Sequence, residues 1–251
     1  MSTLYRMFIV CMLSISTEVS AASLFAFETT TPEGSWVVSE VTTTDHKGKQ
    51  TVMITRQKFL GSEQRGGQTY YWLETEMDSF KVKKGKRKAD GDQVVMKVLV
   101  SKEAMNSDPA NVINNMQGFG KEIIMQTGDS QPMRISDGGM LAGSMMKSMG
   151  VEVNYQFEEE GTETVETNAG QFKAKRIKGS GSTSSKILFK KIEVQSKSMM
   201  WISEKVPFGV VKSENTDLVN GKEQHSQRVL IEFGRSGAVT AITGDVMEMP
   251  F

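Results

Sequence analysis

Histidine and cysteine are the residue types in this chain that most often supply nucleophiles or metal ligands. The two histidines, His46 and His225, stand in polar surroundings typical of turns, without the companion cysteines or Glu-x-x-His spacing of a zinc site. The single cysteine, Cys11, lies in an apolar segment near the start. The sequence contains no G-x-S-x-G elbow, P-loop or dinucleotide-binding fingerprint. We therefore predict that the protein is not an enzyme and holds no metal or cofactor.

Methionine is unusually frequent, with 18 residues in the chain, and it clusters between residues 116 and 149. The cluster consists of Met116, Met125, Met133, Met140, Met145, Met146 and Met149. One interpretation is a pair of helices whose apolar faces pack on a sheet. A second is an adaptable lid over a lipid or acyl chain, because methionine is flexible and polarizable. A third is thioether binding of Cu(I), with Met146-x-x-Met149 and Met247-x-Met249 as soft ligands.

Basic residues form one dense run in a chain whose 30 Lys+Arg balance 30 Asp+Glu. The run contains Lys81, Lys83, Lys84, Lys86, Arg87 and Lys88. A net charge of zero gives no general attraction to nucleic acid, so we expect no nucleic-acid partner. The run itself predicts a solvated hairpin tip. Peripheral contact with anionic lipid head groups, or with an acidic partner protein, is the alternative that its charge leaves open.

Residues 1–21 have the pattern of a cleavable signal peptide. Arg6 is followed by the apolar segment Met7–Ile15, and Val19-Ser20-Ala21 has the small-x-small pattern of a cleavage site. The expected mature chain, residues 22–251, then has no cysteine and no run of 18 apolar residues. We expect a periplasmic protein whose residues 22–251 form a single domain stabilised by its core rather than by disulfides.

The mature region predicts about eleven strands around one helical block. The segments rich in β-branched and aromatic residues are 36–43, 50–60, 69–79, 93–101, 151–158, 163–167, 170–178, 186–197, 199–204, 210–217, 227–233 and 238–243. Glycine-containing turns separate them, and the connections are too short for parallel crossovers, so we expect antiparallel pairing. Glu158-Glu159-Glu160-Gly161 predicts an acidic turn, and Gly179–Ser185 a flexible hairpin tip. Asn168-Ala169-Gly170 predicts a tight turn, after which Phe172 and Ala174 would face one side of a strand and Lys173 and Lys175 the other.

The helical block is predicted over about residues 107–150. Asp108-Pro109 is a helix-start signal, and Val112, Met116, Phe119 and Ile123 would share one face, with a stop at Gly128. A second helix is predicted from Asp137 to Gly150. Its apolar stripe would contain Leu141, Met145 and Met149, with Met140 and Met146 beside it.

Two motifs carry a resemblance to a known family. Glu166–Ile177 (ETNAGQFKAKRI) and Trp201–Lys212 (WISEKVPFGVVK) are similar to a hairpin and a strand–loop–strand of exported bacterial domains related to the LolA/LolB-like superfamily of periplasmic lipoprotein carriers. The resemblance implies a mainly β protein with a helical insert: a curved antiparallel half-barrel with an apolar concave face and a helical plug or lid. It further implies binding of an acyl chain, a lipoprotein or a hydrophobic polymer.

We therefore predict a periplasmic binding or carrier protein for a lipid, acyl chain or lipoprotein held between a curved sheet and Met-rich helices. The alternative is a non-enzymatic envelope interaction or stress-sensing protein with a filled core and a protein partner. The residues expected to line the apolar cavity are aromatic side chains of the sheet and apolar side chains of the helices. They are Trp36, Tyr71, Trp72, Met116, Phe119, Met140, Leu141, Met145, Met149 and Trp201.

Overall fold

The computed structural model describes residues 31–105, 120–136, 152–187 and 190–249. In those ranges the chain forms thirteen strands and one short helix. The strands are β1 (Trp36–Thr44), β2 (Gln50–Arg65), β3 (Gln68–Lys83), β4 (Lys86–Ala89), β5 (Val94–Ser101), β6 (Glu122–Thr127), β7 (Met133–Ser136), β8 (Glu152–Thr167), β9 (Gly170–Ile187), β10 (Lys190–Ile202), β11 (Val210–Val219), β12 (Lys222–Gly234) and β13 (Met247–Glu248), and the helix is α1 (Lys102–Met105). No helix in these ranges has the length and apolarity needed to cross a membrane.

The thirteen strands form one open sheet. Its order is β13-β7-β6-β5-β3-β2-β1-β12-β11-β10-β9-β8, and β4 pairs with β3 outside that path. The pairings are antiparallel, except that β13 runs parallel to β7. The prediction of a mainly antiparallel β architecture is confirmed. The pairing of β1 with β12 joins the first and second halves of the chain into a continuous sheet.

The sheet curls on itself at the β8 end. In the strand order β8 lies three strands from β11 and four from β12, yet Cα atoms of β8 approach both strands within 8 Å. Neighbouring strands are about 4.8 Å apart, so a flat sheet would separate β8 from β11 by about 14 Å. The approach therefore requires strong curvature between these strands.

A single large apolar cluster, here called the main core, draws on strands from both halves of the sheet. Its buried members are Val37, Phe59, Val100, Met105, Val165, Phe172, Ala174, Trp201, Val206, Phe208, Val211 and Leu230. Val100 comes from β5 and Val165 from β8, at distant places in the strand order. Curvature of the sheet thus lets side chains of widely separated strands bury one another.

Tight turns occur where glycine predicted them. Arg65-Gly66-Gly67 joins β2 to β3, and Lys84-Gly85 joins β3 to β4. Lys84 has φ 51° and Gly85 has φ 73°. Two successive positive φ angles are the requirement of a type I′ turn, whose twist matches that of the flanking strands.

The predicted helical block is wrong where the structure describes it. Residues 122–136 form strands β6 and β7 and their turn, so two of the seven clustered methionines, Met125 and Met133, sit opposite each other on strands. Gly120 has φ 87°, which interrupts any helix between Phe119 and Ile123. The β-branched pair Ile123-Ile124 then favours a strand. The remaining predicted helical positions lie outside the described residues, as does the predicted signal peptide.

The segment from Glu158 to Ser185 also differs from its prediction. The acidic turn is absent from this segment: β8 runs through Glu158–Gly161 without a reversal and carries a bulge there. The expected flexible tip at Gly179–Ser185 is part of β9. A Cβ on Gly181 would lie 2.5 Å from Cγ of Tyr155. The absence of a side chain at Gly181 therefore leaves room for an aromatic ring on the adjacent strand. The composition of the segment does not predict this contact.

The C-terminal segment, residues 235–249, crosses the sheet without forming the strand predicted for 238–243; we call it the strap. Two of its backbone N–H groups, both within the segment predicted as a strand, donate to side chains of the sheet. Ala241 N donates to Glu74 Oε1 at 2.8 Å, and Thr243 N donates to Gln126 Oε1 at 2.9 Å. Donors satisfied in this way are not available to a neighbouring strand, and the strap becomes a strand only at β13.

Candidate ligand-binding cavity

A cavity of about 520 Å³ lies beside β8, which is the last strand in the sheet order. Its apolar floor contains Phe157 of β8, Ile177 of β9 and Ile202 of β10. Ile177 and Ile202 are buried and belong to a second, smaller apolar cluster with Met200 and Val210. The floor is thus a rigid part of the sheet, set by side chains from three adjacent strands.

Charged side chains of both signs surround this floor. They are Glu158, Glu159, Lys173, Lys175, Glu204 and Lys205. The only ion pair between them in the described ranges joins Lys175 Nζ to Glu159 Oε2 at 3.8 Å, and each of these side chains is 55% exposed. An ion pair this long and this exposed contributes little to stability. The rim groups are therefore available to a ligand at small cost.

Two β-bulges flank the cavity. The β8–β9 register shifts between Glu159 and Gly161, and the β10–β11 register shifts between Trp201 and Ile202. A bulge bends its strand and increases the local twist. Both irregularities therefore bend the sheet next to the cavity-lining residues Glu159 and Ile202.

The loop between β10 and β11 closes one end of the cavity. Its first three residues, 203–205, line the cavity, and Ser203 N donates to Gly209 O at 2.8 Å. Farther along, Val206 and Phe208 are buried in the main core. Phe208 has φ 61°, an uncommon backbone conformation for a bulky residue. Packing of these two side chains fixes the loop against the core.

The hairpin from the first motif supplies the other lysines. Its turn lies at Asn168-Ala169, as predicted, and β9 begins at Gly170. Phe172 and Ala174 are buried in the main core, while Lys173 and Lys175 are exposed and line the cavity. The predicted alternation of these side chains is confirmed. One face of β9 thus packs in the main core, and its other face lines the cavity.

Two of the predicted aromatic residues belong with the main core. Trp201 is a buried member, and its indole Nε1 donates to Glu163. Tyr71 packs against the same core, in an edge-to-face contact with Phe59 at 5.4 Å between ring centroids. Neither residue lines the 520 Å³ cavity.

The other two predicted aromatic residues, Trp36 and Trp72, belong neither to the main core nor to the lining of the cavity. The indole Nε1 of Trp36 donates to Ser236 O at 3.2 Å, so this ring is tied to the strap. Trp72 Nε1 donates to Glu63 Oε2 at 2.8 Å, and Lys97 Nζ stands 4.8 Å from the ring centroid. The predicted residues Met116, Phe119, Met140, Leu141, Met145 and Met149 lie outside the described residues.

A strip of buried polar side chains crosses one face of the sheet, although the resemblance implied an apolar concave surface. Its members are Ser39, Thr55, Gln57, Ser213, Asn215 and Arg228. Ser39 lies opposite Thr55 and Arg228 opposite Ser213, and directly opposite residues share a face. Arg228 is 2% exposed and donates to Gln57 Oε1 at 2.7 Å. This face therefore carries buried polar side chains beside residues of the apolar main core, such as Val37 and Leu230.

The strip continues to a buried carboxyl. Asp217 follows Asn215 by two residues on β11, and it lies opposite Ser196. Burial raises the pKa of Asp217, and a hydrogen bond with the Ser196 side chain opposes that increase. The carboxylate form is therefore disfavoured in the folded protein.

The histidines lie far from the cavity-lining residues in the sheet. His46 is exposed in the turn between β1 and β2. His225 is exposed on β12 rather than in a loop, and its ring nitrogens contact Glu223 and Thr216. Within the described ranges, no three His, Cys, Asp or Glu side chains are arranged to hold a metal ion.

The sequence places the cavity residues in separate predicted elements and does not mark them as one site. Phe157 belongs to a predicted strand, and Lys173 and Lys175 are predicted on one side of the strand that follows Asn168-Ala169-Gly170. Their meeting with Ile177 and Ile202 depends on the register of three strands and on the bulge in β8. No local sequence pattern predicts that register.

No protein-family model matches the chain, and no curated protein matches it. Among solved structures, the chain is similar to a protein from Bacteroides fragilis NCTC 9343 assigned as exported, with a YmcC-like fold. The identity is 15%, the TM-score 0.40, and the match covers 83% of this chain and 99% of that one. It is also similar to a protein from Parabacteroides distasonis ATCC 8503 assigned as a lipoprotein, with 16% identity, a TM-score of 0.39, and coverage of 81% and 97%.

Proposed function

We propose that the protein is an exported binding protein for a lipid. An acyl chain would lie on the apolar floor of the cavity, and the lipid head group would contact the charged rim. The observation that supports the proposal is the combination of Phe157, Ile177 and Ile202 as a floor with lysines and glutamates around it. The signal-peptide pattern of residues 1–21 supports export to the periplasm.

The size of the cavity suits such a ligand. Small-molecule sites commonly have volumes of about 300–1,000 Å³, and this one has about 520 Å³. Each CH₂ group buried on the floor would contribute about 0.8 kcal/mol. Micromolar binding corresponds to about 8 kcal/mol, so about ten buried methylenes are needed to reach it, and more once the cost of immobilisation is included.

The rim selects for a head group with both charges. Three lysines, Lys173, Lys175 and Lys205, face three glutamates around the same opening. A phosphate would be attracted to the lysines and an amine to the glutamates, so a zwitterionic phospholipid matches this rim better than a fatty acid does.

A pair of tryptophan variants on β8 and β9 tests the proposal. Thr162 of β8 lines the cavity, whereas Ser182, an exposed residue of β9, does not, and neither do its cross-strand partners Asn154 and Gln195. Thr162→Trp should occlude the cavity and abolish binding of a fluorescent phosphatidylethanolamine, while Ser182→Trp should bind it as the unchanged protein does. Equal binding by both variants, with both folded by circular dichroism, would reject this cavity as the lipid site.

A second function is favoured by the filled main core. Val206, Val211 and Leu230 have no exposed surface, and the predicted aromatics Tyr71 and Trp201 pack against this core. Such a filled interior suits an envelope interaction or stress-sensing protein that uses its surface. A folded protein that binds no phospholipid would favour this alternative over the lipid carrier.

A further inference from the structure

The hairpin formed by β3 and β4 gathers lysines on one of its faces. Lys81 lies directly opposite Lys88, and Lys83 directly opposite Lys86. Directly opposite residues of an antiparallel pair point to the same side, so these four side chains share a face. Lys84 extends the group at the turn. We call these five residues the lysine face.

The lysine face is not neutralised by the chain itself. Lys81 pairs with Asp90, but in the described ranges Lys83, Lys84, Lys86 and Lys88 form no ion pair. Like charges directly opposite on a hairpin are destabilising. The hairpin therefore retains an arrangement that costs stability, which is the behaviour expected of a surface built for an external anion.

The orientation of the hairpin is fixed from its other side. Arg87 lies opposite Val82 and makes a bidentate ion pair with Glu40 of β1, at 2.9 and 2.6 Å. Bidentate guanidinium–carboxylate pairs have a defined geometry. Arg87 thus holds the hairpin against the sheet while the lysines point to the opposite side.

A neighbouring turn adds positive charge at the same end of the sheet. Thr51, near the start of β2, lies opposite Lys81, so the turn between β1 and β2 is adjacent to the hairpin. This turn carries Lys47 and Lys49. The carboxylate of Asp45 accepts backbone N–H bonds from both residues at 2.9 Å, which lowers the pKa of Asp45.

We propose that the lysine face docks the protein on the surface of an anionic phospholipid bilayer. Lysine is a compact, strongly hydrated charge suited to long-range attraction, whereas protein–protein interfaces are enriched in arginine and aromatic residues and depleted in lysine. The face consists of lysines alone, and its neighbours Lys47 and Lys49 have the same charge. This proposal is independent of the cavity and its ligand.

Two double variants with equal loss of charge test the docking. Lys83→Ser/Lys86→Ser removes one opposed pair, and Lys178→Ser/Lys197→Ser removes two exposed lysines from β9 and β10. The purified chain is sedimented with vesicles of phosphatidylcholine alone or mixed with phosphatidylglycerol. Each lysine near such a surface contributes about fivefold to partition, so loss of two lysines should make the first variant bind the mixed vesicles about 30-fold more weakly. The second should bind them as the unchanged protein does.

The same experiment defines what would overturn the proposal. Binding should be absent on pure phosphatidylcholine and should disappear near 1 M salt, where the screening length falls to about 3 Å. Equal partition into both kinds of vesicle, or equal losses in the two variants, would reject the lysine face as the docking surface. Retention on immobilised polyglutamate without vesicle binding would also overturn it, in favour of an acidic protein partner.

Discussion

Glu74 of β3 accepts a hydrogen bond from the backbone N–H of Ala241, although the two residues are 167 positions apart. The carboxylate has no exposed surface, and Lys58 Nζ lies 2.9 Å from its Oε1. Thr240 Oγ1 donates to its second oxygen. A single buried acid therefore joins the sheet, a buried lysine and the strap.

Replacing Glu74 by Gln should destabilise the fold. The amide oxygen can still accept from the Ala241 N–H, but the side chain loses the negative charge that pairs with Lys58, and its NH₂ group replaces the oxygen that accepts from Thr240 Oγ1. Glu76 remains as a carboxylate partner of Lys58. Hydrogen bonds to charged groups contribute about 1.5–3 kcal/mol, so we expect a loss of about 2 kcal/mol in the free energy of unfolding. Urea denaturation measures it, and Glu232→Gln on the exposed side of β12 serves as the control. Equal midpoints for the two variants would contradict a structural role of the buried acid.

Gly181 should tolerate no side chain. A Cβ there would lie 2.3 Å from Asn154 O and 2.5 Å from Tyr155 Cγ. Because neither the backbone oxygen nor the buried ring can move freely, Gly181→Ala should cost about 2 kcal/mol. Ser182→Ala, one residue along and exposed, should be close to neutral in the same thermal melt. A melting temperature unchanged by Gly181→Ala would show that the ring does not pack over this glycine.

Asp217 should make stability depend on pH. Its pKa is raised by burial, so the folded state binds more protons than the unfolded state, and stability falls as pH rises through the folded-state pKa. Asp217→Asn removes the free-energy cost of keeping an ionised carboxylate in a buried position. The variant should melt higher than the unchanged protein at pH 7, and the difference should shrink as the pH falls below about 4, where the carboxyl is protonated in both states. A constant difference across this range would contradict the assignment.

A charge-reversing substitution in the lysine face should stabilise the folded protein. Lys86→Glu puts a carboxylate directly opposite Lys83 and replaces repulsion by attraction. Cross-strand pairs of opposite charge contribute about 0.2–1 kcal/mol, so the melting temperature should rise slightly at low salt. The gain should vanish at high salt. A fall in melting temperature at low salt would show that Lys83 and Lys86 are not opposed.

Local signals in the sequence predicted the parts of the fold that depend on local chemistry. The turns at Asn168-Ala169 and Lys84-Gly85 follow from residues that accept their backbone angles. The alternation of Phe172 and Ala174 with two lysines predicted which side of β9 is buried. These patterns need no knowledge of the partner strand.

The errors arose where a distant partner decides the structure. The sequence around Gly181 predicts a flexible tip, but the glycine lies under the ring of Tyr155 on the adjacent strand. Residues 238–243 have the composition of a strand, but Glu74 and Gln126 accept hydrogen bonds from two of their backbone N–H groups. The cavity likewise needs the register of β8, β9 and β10 together. Periodicity within one segment contains none of this information.

Native mass spectrometry of the detergent-free protein, purified after export, tests the central claim most directly. The claim predicts an additional mass on the folded protein that solvent extraction identifies as phospholipid, and loss of that mass in Thr162→Trp but not in Ser182→Trp. A folded protein that carries no lipid, and takes up none from phosphatidylethanolamine vesicles, would contradict the claim.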